Sequence, residues 1–169
     1  AILLTHGHKD HIGGLDDVRA FNWVKQGAVD VYGNEGTREV VYKDFSYAFA
    51  AFRYPGVPEI NYHVIDDRPF YIDDIQVVPI PVLHYKMPVL GFRIGNFAYI
   101  TDAKTIPASS MERLKGVEYL VINALRKELH MSHFNLEEAL TMIARIQPKS
   151  AFLTHIGHQM GLSLSLIHI

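Results

Sequence analysis

The stretch Ile2-Leu3-Leu4-Thr5-His6-Gly7-His8-Lys9-Asp10-His11 decides how the rest of this chain is read. Three imidazoles and a carboxylate fall within six positions, directly after a short apolar run that reads as a buried strand. Imidazole and carboxylate are ligands that divalent zinc, manganese and iron accept. His6 and His8 can point to one side of an extended loop, while Asp10 and His11 open a helix and face differently. One short segment can thereby serve two adjacent metal ions. The competing reading is a chance histidine-rich loop.

Working outward, the same pattern recurs. Ile80-Pro81-Val82-Leu83-His84, Ala98-Tyr99-Ile100-Thr101-Asp102 and Ala151-Phe152-Leu153-Thr154-His155 are each a short apolar strand that ends on a metal-ligand residue type. Ligands at strand ends converge when those ends share one edge of a packed β core, and a strand end holds a ligand more rigidly than a loop does. Taken singly, each of His84, Asp102 and His155 reads equally well as a capping aspartate or a partly buried histidine. Taken with the first motif, they read as a ligand set.

Between these landmarks the sequence predicts a mixed α/β chain. Gly13-Gly14 leads into a helix in which Leu15, Val18 and Phe21 recur at helical spacing. A strand over 29–32 is followed by a helix over about 35–49, with Val40, Val41, Tyr47 and Phe52 expected on its buried side, and Pro55-Gly56-Val57-Pro58 breaks the chain. Strand runs follow at 62–65, 70–72, 75–83, 89–94 and 97–101, with Asp73-Asp74 and Gly95-Asn96 placed as hairpin turns. A short helix over 109–114 precedes a strand over 119–122. Asn135 and Glu138 have the spacing of a capping box, and Leu136, Ala139, Leu140, Ile143 and Ala144 continue at helical spacing until Pro148. The last strand is 151–153. Hairpins flanked by helices imply a mixed α/β domain rather than a regular βαβ alternation.

Composition narrows the function classes. Of 169 residues 49% are hydrophobic and 20% charged, the balance of a soluble globular domain. A net charge of −2 argues against a grip on long nucleic acid, which requires a basic surface. The absence of cysteine excludes disulfides and thiolate metal sites within this segment and makes a cytoplasmic setting the default expectation. No apolar run is long enough for a transmembrane helix, so no membrane partner is expected. The chain enters abruptly in a strand, from which a missing N-terminal region is expected. Residues 162–169 change character, reading as an alternating strand or as a non-native tail, and residues 1–161 as one partial domain.

The H-x-H-x-D-H motif, followed by a lone His, a lone Asp and a late His, resembles the metallo-β-lactamase superfamily over nearly the whole chain. Within it the chain is most similar to the phosphodiesterase branch typified by the phosphoribosyl cyclic phosphate phosphodiesterases. The stretches that carry this are His8-Lys9-Asp10-His11-Ile12-Gly13-Gly14-Leu15-Asp16-Asp17, Val89-Leu90-Gly91-Phe92-Arg93-Ile94, Tyr99-Ile100-Thr101-Asp102-Ala103, Ser132-His133-Phe134-Asn135-Leu136-Glu137-Glu138-Ala139 and Leu153-Thr154-His155-Ile156-Gly157-His158. The resemblance implies a four-layer α-β-β-α sandwich whose N-terminal strands this segment lacks. Their loss would expose apolar sheet surface and weaken folding of the segment alone.

Carried over by position, the resemblance implies two divalent metal ions, zinc or manganese. His6, His8 and His84 would hold one, Asp10, His11 and His155 the other, and Asp102 would bridge them. A carboxylate suits the bridge because it has two acceptor oxygens. Asp10 and His133 are the implied catalytic residues, with His133 contacting the phosphate or protonating the leaving oxygen. The competing reading of His133 is a packed residue before the Asn135 cap. His158 reads equally as a pocket or a surface residue, His130 as a solvated loop residue, His63 as structural and Lys9 as solvated. Tyr85 and Lys86 are weaker candidates for a phosphate contact.

The expected activity is therefore a binuclear metal-dependent hydrolase, a phosphodiesterase acting on a small, cyclic or sugar phosphate ester through a metal-bridging hydroxide, with a homodimer allowed for. The rival readings are a tRNA-maturation endonuclease, for which no basic glycine-rich insertion is found, a thioester hydrolase, and a noncatalytic metal- or nucleotide-binding sensor.

Overall fold

The computed structural model describes residues 1–160, and the expectations for 162–169 lie outside them. The chain divides into two compact units, Ala1–Asp66 and Asp67–Ile169. Each is an α/β unit.

In the first unit, β1 (Ile2–Leu3), β2 (Val29–Gly33) and β3 (Ile60–Val64) form a parallel sheet in the order β1-β2-β3. Parallel neighbours need crossover connections, here helical ones. α1 (Lys9–Ile12), a 3₁₀ turn over Gly13–Val18 and α2 (Arg19–Lys25) link the first pair. α3 (Glu35–Asp44) and α4 (Ser46–Phe49) link the second. Val29 and Val31 alternate with the outward Asp30 and Tyr32, so one face of β2 packs with Leu4, Ile12, Leu15, Val18 and Val41 into the unit's core.

Three side chains expected inside this unit lie outside. Phe21 is exposed because the chain changes from 3₁₀ to α geometry at Arg19, which shifts the phase that Leu15 and Val18 set. The buried residue of α2 is instead Asn22, whose amide donates to Gly27 O at 3.0 Å and Glu59 O at 2.8 Å and accepts the Glu59 N–H at 2.9 Å. The single helix expected over 35–49 breaks at Phe45, which leaves helical geometry at φ −114° and ψ 35°. Phe45 and Ala48 take the buried side, while Tyr47 and Phe52 face out, Phe52 at 88% exposure.

In the second unit six strands run in the order β4-β5-β6-β7-β8-β9. They are β4 (Phe70–Ile72), β5 (Ile75–His84), β6 (Met87–Ile94), β7 (Phe97–Ile100), β8 (Tyr119–Asn123) and β9 (Ser150–Thr154). β4 to β7 are joined by tight hairpins, and Asp73, Tyr85 and Gly95 take the positive φ that two-residue turns demand. β7, β8 and β9 are parallel, joined through α5 (Ala108–Arg113) and α6 (Leu136–Ile146). Beyond the end of β4, the outward carbonyls of Pro79 and Pro81 accept from Arg113 Nη1 at 2.7 Å and Ser110 Oγ at 2.5 Å, so α5 covers that part of β5.

The Asn135–Glu138 capping box forms as expected, with Asn135 Oδ1 accepting the Glu138 N–H and Glu138 Oε2 accepting the Asn135 N–H, both at 2.9 Å. Such a cap contributes about 1 kcal/mol. The buried stripe of α6 runs through Leu136, Ala139, Ile143 and Ile146, whereas Leu140 and Ala144, expected in it, lie on the exposed flank. Gln147 then takes a left-handed conformation and ends the helix one residue before Pro148.

Candidate metal centre

In the first unit, the hydrogen bond from Leu4 N–H to Tyr32 O (2.8 Å) carries the pairing of β1 up to the motif. Leu4, Thr5 and His6 are buried, while His8 and Asp10 are exposed. His8 is the N-cap of α1, in extended geometry, and its carbonyl accepts the His11 and Ile12 N–H groups at 3.0 and 3.1 Å. Ile12, fully buried, anchors the helix. Gly7 is required between the two histidines, since a Cβ there would stand 2.9 Å from Val40 Cβ on α3.

The strand-to-helix turn brings the four motif side chains together. His6 Nε2 and His8 Nδ1 stand 3.1 Å apart, near the roughly 3.3 Å separating two nitrogens that share one tetrahedral zinc at 2.0–2.1 Å. The His6 ring centroid lies 4.2 Å from that of His11, whose Nε2 is 3.3 Å from Asp10 Oδ2. Thr5 Oγ1 sits 3.0 Å from His6 Nδ1 and orients the ring from behind. Lys9 points away and pairs with Asp44 at 2.9 Å, the solvated role expected of it.

In the second unit, β5, β7, β8 and β9 all run in one direction, so their C-terminal ends lie at one edge of the sheet. His84 closes β5, Asp102 follows β7 and His155 follows β9. Asp102 is 1% exposed, and its carboxylate accepts from Thr101 Oγ1 at 2.7 Å. His155 Nε2 is 3.1 Å from each of its two oxygens. His84 Nδ1 is 2.9 Å from Ser132 O, and a carbonyl can only accept, so Nδ1 is the donor and the ring is oriented by that bond.

His133 belongs to this cluster. Its ring lies 4.5 Å from that of His84 and 4.8 Å from that of His155, and Nδ1 is 3.8 Å from Asp102 Oδ2. Ligand atoms of Asp102, His133 and His155 lie within 4.8 Å of one another. Nδ1 of His133 is buried with no hydrogen-bond partner among the described residues, an unsatisfied group of the kind that marks a functional position. Burial pushes its imidazole down to about 4, an effect that Asp102 opposes and His84, His155 and His130 reinforce. The donor set in both units, imidazole nitrogens and carboxylate oxygens with ring orientations fixed from behind, fits divalent zinc or manganese.

The lowered pKa of His133 has a consequence for stability. An unfolded His133, with an ordinary pKa of 6.5, takes up a proton before the folded one does. Its contribution to stability is whole above about pH 6.5, declines as pH falls towards 4 and levels off below, about 3 kcal/mol in all. In metal-free protein, urea midpoints should fall more between pH 7 and 4.5 for the parent than for His133→Gln. Equal losses would show that His133 titrates normally.

The remaining histidines separate. His130 sits in the loop before His133 but is only partly exposed, with its ring 5.1 Å from that of His133, so it is not the solvated residue expected. Burial, with Arg126 and Lys104 nearby, lowers its pKa. His158 is exposed. His63 pairs with Asp30 at 2.9 Å and stacks on Tyr32, a structural role as expected. Tyr85 and Lys86 form the exposed β5–β6 turn. Asn123 was not singled out by the sequence reading, and Ser132 entered it only within the stretch that carries the resemblance. Asn123 had a legible signal, because the run Tyr119-Leu120-Val121-Ile122-Asn123 is another apolar strand closed by a polar residue.

Residues 1–156 match the family model described as a beta-lactamase superfamily domain. With a strand-borne H-x-H-x-D-H cluster and strand-end ligands, the chain belongs to the metallo-β-lactamase superfamily and has its fold. A solved structure of a diphosphatase from the PhnP family superposes with a TM-score of 0.85 at 34% identity, over 94% of this chain and 60% of that one. An octanoyltransferase of Porphyromonas gingivalis is 38% identical over 160 residues, which cover 94% of this chain and 32% of the relative. A ribonuclease Z of Mycobacterium bovis is 31% identical over 147 residues, covering 76% of this chain and 52% of the relative. The chain thus spans between about a third and a half of these curated relatives. Among the described residues, no helix is long and apolar enough to cross a membrane.

Proposed function

We propose that this chain carries the metal centre of a hydrolase that cleaves a small phosphate diester or anhydride, with two divalent ions held by His6, His8, Asp10, His11, His84, Asp102 and His155. The observation that carries the reading is the buried Asp102 carboxylate, with His155 Nε2 3.1 Å from both oxygens and the His133 ring beside it. Bound metals would supply an activated water and positive charge towards phosphoryl oxygens. The chain's own groups supply the rest. Asp102 orients along the Thr101 hydroxyl, Ser132 O sets the His84 tautomer, and neutral His133 offers an N–H to a phosphate oxygen.

The diphosphatase and the ribonucleases Z, named for cutting bonds at phosphorus, support this reading. The ribonucleases also favour a second one, RNA cleavage at the same centre, against which stands the net charge of −2. The octanoyltransferase name favours acyl chemistry, but 68% of that protein's length has no counterpart in this chain. A panel of bis-p-nitrophenyl phosphate, a 2′,3′-cyclic nucleotide, a nucleoside diphosphate, precursor tRNA and an octanoyl thioester, each with zinc or manganese, tests the proposal on the full-length protein. Metal-dependent turnover of the small phosphates ahead of RNA and thioester is expected. Preference for precursor tRNA or thioester would replace the proposal. Metal binding with no turnover of any ester would make the protein a sensor.

A further inference from the structure

The parallel strands β7 and β9 hand over to two cluster residues, Asp102 and His155, and both sit in the left-handed region, at φ 57° and 51°. A non-glycine residue there is strained and persists only when its surroundings impose it. The strand between them, β8, ends on Asn123, whose side chain is fully buried. Its amide spends both ends on the residue after Asp102. Oδ1 accepts the Ala103 N–H at 2.8 Å, and Nδ2 donates to Ala103 O at 3.0 Å.

The next two residues extend the same hold. Ala124 N–H donates to Thr154 O, just before His155, at 3.0 Å. Leu125 N–H donates to Phe134 O, just after His133, at 3.0 Å, and Leu125 O accepts from Gly157 N–H at 2.8 Å. Phe134 N–H in turn donates to Ala103 O at 2.8 Å. Three consecutive residues therefore tie together the neighbours of Asp102, His133 and His155. Gly157 permits this, since a Cβ there would stand 2.9 Å from Leu125 O.

We propose that Asn123 is a positioning residue of the metal centre, an inference that rests on the metal-binding reading above. By clamping Ala103 N–H and C=O, Asn123 fixes the two peptide planes that flank Ala103, the first of them the Asp102–Ala103 peptide, and with it the direction of the Asp102 carboxylate. Through Phe134 the same clamp sets the backbone that carries His133. Apolar packing cannot replace it, because Ala103 is buried and its N–H, unlike its carbonyl, is met by the Asn123 side chain and needs that partner.

The test is zinc affinity by competition with a chromophoric chelator, together with the ligand-field spectrum of the cobalt-loaded protein, on full-length parent, Asn123→Ala, Asn123→Ser and Leu120→Val. Leu120 is buried on the same strand and places no side-chain hydrogen bond in the cluster. Asn123→Ala should bind zinc about 10- to 100-fold more weakly, the usual cost of losing an outer-shell partner, and its cobalt spectrum should change. Leu120→Val should stay within about threefold of the parent with an unchanged spectrum. If Asn123→Ala does not fold, Asn123→Ser carries the test, since a serine hydroxyl cannot span both Ala103 groups. Folded Asn123 variants with parental affinity and spectrum would overturn the inference and leave the metal centre intact. Equal weakening in Leu120→Val would also overturn it, by reducing the effect to general stability. A parent that holds no zinc would instead fail the underlying reading.

Discussion

Asp102→Ala is expected to abolish turnover and to lower the metal content of the full-length protein from about two ions per chain to one or none. In the proposed centre Asp102 is the one ligand shared by both ions, so its loss removes a bond from each. Several kilocalories of transition-state stabilisation depend on those ions, which corresponds to a roughly 10³- to 10⁵-fold loss of kcat/KM. The site offers no ready substitute. The carboxylate is buried, His155 Nε2 lies against both of its oxygens, and Thr101 donates to it, so alanine leaves a cavity lined by polar groups. Asp102→Asn separates charge from shape, keeping the volume while losing the anion, and should also lose metal. Elemental analysis with turnover measured on the same sample decides the matter. Two retained ions and near-parental turnover in Asp102→Ala would end the bridging assignment.

His133→Ala should keep its metals and lose rate by roughly 10²- to 10⁴-fold, the usual reach of one group acting on a transferring proton or a developing charge. Burial favours one of the two roles the sequence left open. It pushes the imidazole down to about 4, which favours a hydrogen bond to phosphate over transfer of a proton at pH 7. The defect should therefore be similar for good and poor leaving groups and partly visible in KM. If His133 instead protonates the leaving oxygen, the defect should shrink for an activated aryl diester, because that oxygen needs no proton. A folded His133→Ala with parental activity on a poor-leaving-group diester would remove both roles.

The candidate site was legible in sequence because residues able to hold a metal are constrained twice, by chemistry and by position. His6, His8, Asp10 and His11 could be read together because a six-residue segment fixes their relative placement with no long-range folding. His84, Asp102 and His155 could be read because each ends an apolar strand, and strand ends are where a parallel sheet gathers side chains. The capping box at Asn135 was legible for the same local reason, a side chain satisfying a backbone three residues away.

What failed among the helices in the sequence reading depended on phase. Phe21 has the right spacing from Leu15 and Val18 for a continuous α-helix, but the 3₁₀ segment before it turns it outward. Tyr47 and Phe52 follow a break at Phe45 that no proline or glycine announces. On α6, Leu140 and Ala144 fit a helical period as well as Leu136 and Ile146 do, and only the sheet beneath decides which flank is covered.

By itself, the sequence determined the metal-ligand residue types, the strands that carry them and the superfamily, since these rest on local spacing and on the chemistry of imidazole and carboxylate. The tertiary structure alone decided which second partner each group meets. That His84 Nδ1 donates to Ser132 O, that burial lowers the His133 pKa, and that Asn123 grips Ala103 all join residues 20 to 50 positions apart or depend on exclusion of water. Hydrogen bonds of 2.8 to 3.0 Å need a particular packing of strands before the partners meet, and no spacing along the chain encodes that.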